Sequence, residues 1–316
     1  MLVNTFKMKT ALLTHNDCLH HIMPSNHPES VDRLKAIIDR LSKDDFKNLM
    51  RVEAPLGRLK DINLAHPEIH TKIIKELIPK DGSAKIDSDT FLSSGSLNAA
   101  LRGVGAVTRA IDLVLKKTAK NAFCATRPPG HHAEKNTAMG FCLFGNVAIG
   151  AKYAIKSHHL DRVAIVDFDV HHGNGTQNIL WDSSKTLFIS SHQHPLFPGS
   201  GGKEERGKYN NIFNVPVPPY TDGTYFIKLL KSNILPKLHQ FQPQLLIISA
   251  GFDAHIDDPL ANLNWTTSDY KEITQVLAEV AKQTCDGRIV SCLEGGYNLN
   301  ALKESVATHV KALMEA

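Results

Sequence analysis

Nowhere in these 316 residues do eighteen apolar residues run together, so the sequence offers no membrane-spanning helix. Runs of five or six like charges are also missing, and the formal net charge is only +4, which implies no nucleic-acid partner. There is no internal repeat, no low-complexity tract and no Pro/Gly/Ser-rich linker, so a single domain over residues 1–316 is expected. Cysteines are few: Cys18, Cys124, Cys142, Cys285 and Cys292 are odd in number, scattered and mostly set in apolar surroundings. That pattern predicts free core thiols in a reducing compartment. The N-terminal stretch MLVNTFKMKTALLTH is too short and too interrupted for a secretory signal, so the cytoplasm is the expected location. With 42% hydrophobic and 22% charged residues, the remainder is what a globular chain requires.

Five short apolar segments rich in β-branched residues suit strands buried on both faces: 122–125, 163–166, 186–190, 245–249 and 289–293. Stretches with helical spacing lie between them at 147–155, 225–239 and 268–282, and upstream at 31–41 and 96–117. Alternating strand and helix predicts an α/β fold with a parallel sheet flanked by helices on both faces. Each strand candidate is followed by a polar, glycine-bearing loop: TRPPGHHAE, DFDVHHGNG, SHQHPLFPGSGG, AGFDAHIDDP and EGGYN. Ligands of open α/β sheets bind beyond the carboxyl ends of the strands, so these loops are expected to converge on one site.

Within DFDVHHGNG, Asp167, Asp169 and His171 alternate, and an extended backbone would point all three to one side. Two carboxylates so close repel unless a cation lies between them. Asp253, just past another strand, would complete three protein ligands and leave a position open, as a catalytic zinc site requires. Asp257 and Asp258 precede Pro259 and read as turn residues. The loop RPPGHHAE offers His131 and His132 as bases, with Asp167 and Asn174 as groups that could orient them. Tyr297, beside two glycines, could donate to an oxyanion. Paired histidines alone are no signal, since four pairs occur. His158-His159 reads as a solvated helix end, and His20-His21 as structural.

The ordered motifs RPPGHHA, GFCLFGN, DFDVHHGNGTQ, FPGSGG, GFDAHIDDPL and EGGYN, with HPESVDRL upstream, resemble the histone deacetylase superfamily, and the two-proline form with Asn174 resembles its class II branch. The resemblance spans roughly residues 15 to 300. It implies an arginase/deacetylase-type α/β fold with a central eight-stranded parallel sheet, and a catalytic Zn2+ on Asp169, His171 and Asp253. It also implies His131 and His132 as the catalytic pair, Tyr297 as the polarising tyrosine, and Asp167 as the group orienting His131. A structural K+ would lie among Asp167, Asp169, His171, Ser190 and Ser191. Phe141 and Phe197 would wall a narrow tunnel, Gly140 would offer its carbonyl to the substrate amide, and Arg33 would lie under the site where acetate leaves.

Two positions depart from the family pattern. Asn174 replaces a second aspartate, which leaves His132 without a charged partner and favours it as the neutral base. Ser30 and Val31 replace a proline and an arginine, a change read as drift in the entrance loop because Arg33 is kept. The implied activity is removal of acetyl or other acyl groups from lysine side chains of a protein or peptide. The nearest alternative is an acetylpolyamine amidohydrolase. Members choosing polyamines can place an acidic gatekeeper after the DP dipeptide, where this chain has Leu260. A silent acyl-lysine binding module and a binuclear ureohydrolase are more distant alternatives, because the ligands and Tyr297 are all present in the deacetylase order.

Overall fold

The computed structural model describes residues 8–316, so part of the N-terminal stretch weighed as a signal peptide lies outside the described residues. Eight strands form one sheet, numbered here along the chain: β1 Ala11–Thr14, β2 Met50–Glu53, β3 Ala122–Cys124, β4 Val163–Asp167, β5 Thr186–Gln193, β6 Ile212–Val217, β7 Leu245–Ala250 and β8 Ile289–Leu293. All pairings within it are parallel, in the spatial order β2-β1-β3-β8-β7-β4-β5-β6. The single α/β domain with an eight-stranded parallel sheet is therefore as expected.

Alternation along the strands sorts the side chains into two cores. Leu12, Phe123, Ala164 and Val166 face one way, towards the helices Val31–Leu41, Thr267–Cys285 and Leu299–Glu315. Ala11, Leu13, Ala122, Cys124, Val163 and Ile165 face the other, towards Ser96–Leu115 and Asn146–His158. Because both faces are covered, the interior strands read as continuous apolar runs. The five cysteines are free and buried. Helix Thr267–Cys285 begins in a capping box between Thr266 and Asp269, and Asn298 caps the last helix by accepting from the amides of Asn300 and Ala301.

The structure adds elements that the sequence reading does not contain. β1 and β2 are four residues each, and β2 is an edge strand with alternating exposure. β6, the opposite edge, contains Asn214 and Pro216, and proline is tolerated where no neighbour needs its N–H. The stretch expected as one helix over 225–239 is Gly223–Leu229, a π turn at Leu230–Ile234 and Leu235–Phe241. Among the described residues no helix is long and apolar enough to cross a membrane.

Candidate metal and catalytic centre

The carboxyl ends of five adjacent strands, β3, β8, β7, β4 and β5, supply the loops that meet, as expected. Beyond Asp167 the chain bends instead of staying extended. Asp167 Oδ1 accepts from the Asp169 amide at 3.1 Å, and Asp169 Oδ1 accepts from the His171 amide at 2.9 Å. These successive Asx turns separate the three side chains, correcting the expectation that all share one side. Asp169 and His171 turn towards Asp253, while Asp167 turns towards His131.

His171 Nδ1 lies 3.2 Å from Asp169 Oδ1 and 3.1 Å from Asp253 Oδ2, and one donor atom from each of the three residues falls within 4.8 Å of the others. Neighbouring ligand atoms about 2.1 Å from a tetrahedral ion are roughly 3.4 Å apart, so the spacing fits a divalent cation. The charge balance fits as well. Burial pushes the His171 imidazole down, but its bonds to Asp169 and Asp253 outweigh that and raise it to about 10, so the two carboxylates demand positive charge between them. The carboxylates are themselves fixed by backbone: Val170 N donates to Asp253 Oδ1 at 2.9 Å, and Gly295 N donates to Asp169 Oδ2 at 2.8 Å. A Cβ at position 295 would overlap the Asp253 carboxylate, which explains the glycine in EGGYN.

The rings of His131 and His132 lie with centroids 3.9 Å apart, tilted by 42°, but have different environments. His131 Nδ1 is 3.0 Å from Asp167 Oδ2. Burial disfavours its charge, yet Asp169 and Asp167 together hold its pKa well above the usual imidazole range. His132 Nδ1 is 2.7 Å from Asn174 Oδ1. The orientation of that amide follows from its other end, where Asn174 Nδ2 donates at 2.8 Å to Glu134 Oε1, a carboxylate that only accepts. Nδ1 of His132 is therefore the donor, and Nε2 is left as the free acceptor. Burial, then the charges of His131 and His171, hold His132 well below the usual imidazole range.

A cavity of about 270 Å³ opens over these groups. His132, His171 and Tyr297 lie on its lining, with Gly140, Phe141, Leu196, Phe197 and Leu260 as largely apolar walls. Gly140 has φ +54°, and a Cβ there would run into the His132 ring. Tyr297 makes an edge contact with Phe141 at 5.9 Å between centroids, and burial keeps its phenol well above the usual range. Arg33 is fully buried beneath. It donates to the carbonyls of Gly296 at 2.6 Å and Glu294 at 2.5 Å, and to Glu29 Oε1 at 3.0 Å, with its guanidinium carbon 4.9 Å from the Tyr297 ring centroid.

This arrangement, on this sheet, agrees with comparison to known proteins: the model described as the histone deacetylase domain matches residues 27–313. The chain belongs to the histone deacetylase domain family. It belongs with it to a group of hydrolases that act on amides. A probable deacetylase of Archaeoglobus fulgidus is 37% identical to it over 298 residues, covering 92% of this chain and 82% of that one. Type-2 histone deacetylase 2 of Dictyostelium discoideum is 35% identical over 98% of this chain, which spans only 21% of that larger protein. The histone deacetylase-like amidohydrolase of Pseudomonas aeruginosa is 36% identical, covering 86% and 72%. Among solved structures, the HDA15 HD domain superposes with a TM-score of 0.91 at 32% identity, covering 98% of this chain and 88% of that one.

Set against the histone deacetylase pattern, the expected residues fall into place unevenly. Asp169, His171, Asp253, His131, His132, Asp167, Asn174, Tyr297, Gly140, Phe141, Phe197 and Leu260 meet around the cavity or its floor. Ser191 Oγ reaches the main-chain oxygen of Asp167 at 3.3 Å, whereas Ser190 Oγ pairs with His192 Nδ1 at 3.0 Å. His172 bridges Ser200 and Gln177, and His21 bonds Ser96. His158 pairs with Asp112 at the helix end.

Two groups escaped the sequence reading. Glu294 accepts from the amides of Gly130 at 2.6 Å and His131 at 3.1 Å, bracing the histidine loop from behind. Asp258, taken as a turn residue, does make that turn through Leu260 N, but it is also buried and bonded to Tyr297.

Proposed function

We propose that this chain is a zinc-dependent amidohydrolase that removes acetyl or other acyl groups from lysine side chains of proteins or peptides. The observation that carries this reading is the convergence on one narrow apolar tunnel of a three-ligand cluster, a free imidazole nitrogen and a protonated phenol. The tunnel suits an acyl-lysine stem threaded between Phe141 and Phe197.

Asp169, His171 and Asp253 would hold the ion, which supplies Lewis acidity towards the acyl carbonyl and a water molecule. His132, neutral and with Nε2 free, accepts the proton of the attacking water. Tyr297 stays protonated and donates its hydroxyl to the developing oxyanion. His131, kept protonated against Asp167, is the proton source for the departing amine. Gly140 offers its carbonyl to the substrate amide, and Arg33 lies beneath, where the acid product leaves. A structural potassium ion beside the main-chain oxygen of Asp167 belongs to the same reading, supported by the approach of Ser191 Oγ.

A second reading, hydrolysis of an acetylpolyamine, draws support from one feature: Asp89 brings a carboxylate to the tunnel lining, where a cationic substrate tail could meet it. Leu260, apolar at the gatekeeper position, speaks for acyl-lysine. Turnover of acetyl-lysine peptides against N-acetylputrescine separates the two. The first reading expects the peptides to be preferred, and a strong preference for N-acetylputrescine would replace it with the second.

A further inference from the structure

Asp258 is 7% exposed. Burial, then the charge of Asp253, push its carboxyl up to about 7. What satisfies it is backbone. Oδ2 accepts from the amides of Tyr297 at 2.7 Å and Asn298 at 3.4 Å, and Oδ1 accepts from the amide of Leu260 at 3.1 Å. Removing one acceptor from such a cluster leaves buried N–H groups unpaired.

Tyr297 and Leu260 both line the tunnel, so a single carboxylate fastens two of its walls. Tyr297 follows Gly295 and Gly296, the latter at φ +117°, and the glycines contribute no side chains of their own to anchor the segment. Its main chain is gripped from two sides. Arg33 holds the carbonyls of Glu294 and Gly296, and Asp258 holds the amides of Tyr297 and Asn298.

We propose that Asp258 is a positioning residue that holds Tyr297 and Leu260 as one unit, so that the placement of the phenol and the position of the tunnel edge are set together. The proposal rests on the amidohydrolase reading for what Tyr297 does, though not for where Tyr297 sits. It predicts that disturbing Asp258 acts through the phenol: kcat suffers more than KM, and the loss vanishes once the phenol is gone.

The test is Asp258→Asn, which keeps the shape but sets an amide N–H₂ against backbone donors, combined with Tyr297→Phe in a double-mutant cycle on an acetyl-lysine peptide. The expected result is a kcat roughly tenfold lower with KM within about threefold and metal content unchanged, since small misplacements of a reacting group are costly. In the Tyr297→Phe background the same change is expected to cost less than about twofold. An equal loss in both backgrounds overturns the proposal.

Amide hydrogen exchange gives a readout independent of activity. Tyr297 and Asn298 are expected to exchange about tenfold faster in Asp258→Asn while β7 stays protected. Unchanged exchange there overturns the positioning role even if no acyl substrate is turned over, whereas a wild-type protein inactive on every acyl amide overturns only the functional reading. Should the asparagine variant not fold, Asp258→Glu, which keeps the charge and shifts it by one methylene, carries the same cycle and exchange measurement with the same expected direction.

Discussion

Single residues divide the chemistry, and their roles can be tested one at a time. Tyr297→Phe removes only the hydroxyl proposed to donate to developing charge. It is expected to lower turnover of an acetyl-lysine peptide by about 10²–10³-fold while leaving metal content unchanged, and full activity would take the phenol out of the mechanism. Asp253→Ala removes one of two carboxylates facing His171 Nδ1, so dialysed protein should come out depleted of zinc by elemental analysis; undiminished zinc would end its role as a ligand. Asn174→Asp places a carboxylate against His132 Nδ1. A negative charge favours the imidazolium, so the acid limb of kcat/KM is expected to move to higher pH, because the base is neutral over a narrower range. An unmoved limb would argue against His132 as the base. The clustered carboxylates and histidines were legible in the sequence as candidates because such chemistry is tied to residue type at the ends of strands. Glu294 and Asp258 were not, because they act on backbone amides, and a carboxylate that binds N–H groups carries no signature in a single sequence.

At the scale of elements, the interior strands β3, β4, β5, β7 and β8 were readable because burial on both faces writes a continuous apolar run. β1, an interior strand, reads only as part of the interrupted apolar stretch at the N-terminus, β2 is an edge strand of alternating exposure with no apolar run, and β6 is broken by Asn214 and Pro216 at the other edge. The last helix buries Leu302, Val306, Val310 and Leu313 at helical spacing, a signal present in the sequence although the expectations above do not include it. The loop bearing Gly140 and Phe141 is closed by a device invisible without coordinates. His66 Nε2 accepts from the Gly145 amide at 2.9 Å while Nδ1 meets the Lys135 carbonyl at 3.1 Å, so one ring ties both ends. That double role needs the neutral tautomer, and burial keeps the ring neutral by pushing its pKa down to about 3. The rings of His66 and His70 stack 4.5 Å apart, and His70 secures the Leu143 carbonyl at 2.9 Å. His66→Ala should therefore loosen a tunnel wall without touching the metal ligands. The expected outcome is a KM for acetyl-lysine peptide that rises more than kcat falls, with faster amide exchange across residues 135–145; loss of metal instead would show that the clasp supports the whole site.

The molecule as a whole carries a set of buried neutral imidazoles, and their sum shapes its stability against acid. Burial lowers His21 and His172 to about 4 and His66, His192 and His309 to about 3, from an ordinary 6.5. A histidine whose folded pKa is depressed binds fewer protons folded than unfolded, so its penalty is absent above 6.5 and grows as pH falls from 6.5 towards the folded value. His309 gives the cleanest test because it is far from the metal ligands in sequence and bonds only hydroxyls: Nδ1 meets Thr274 Oγ1 at 2.7 Å and Nε2 meets Ser291 Oγ at 2.8 Å. Its ring sits between Phe123, Phe168 and Phe252, joining the last helix to the sheet. His309→Gln keeps polar atoms within reach of the hydroxyls but does not titrate. Whatever packing cost the variant shows at pH 7.5 should shrink relative to wild type by about 1.4 kcal/mol at pH 5.5, one pH unit below the unfolded pKa. Urea unfolding at the two pH values measures this directly. Curves for the two proteins that stay parallel would mean that His309 takes up a proton inside the core at an ordinary pKa, and that the acid sensitivity of the fold originates elsewhere.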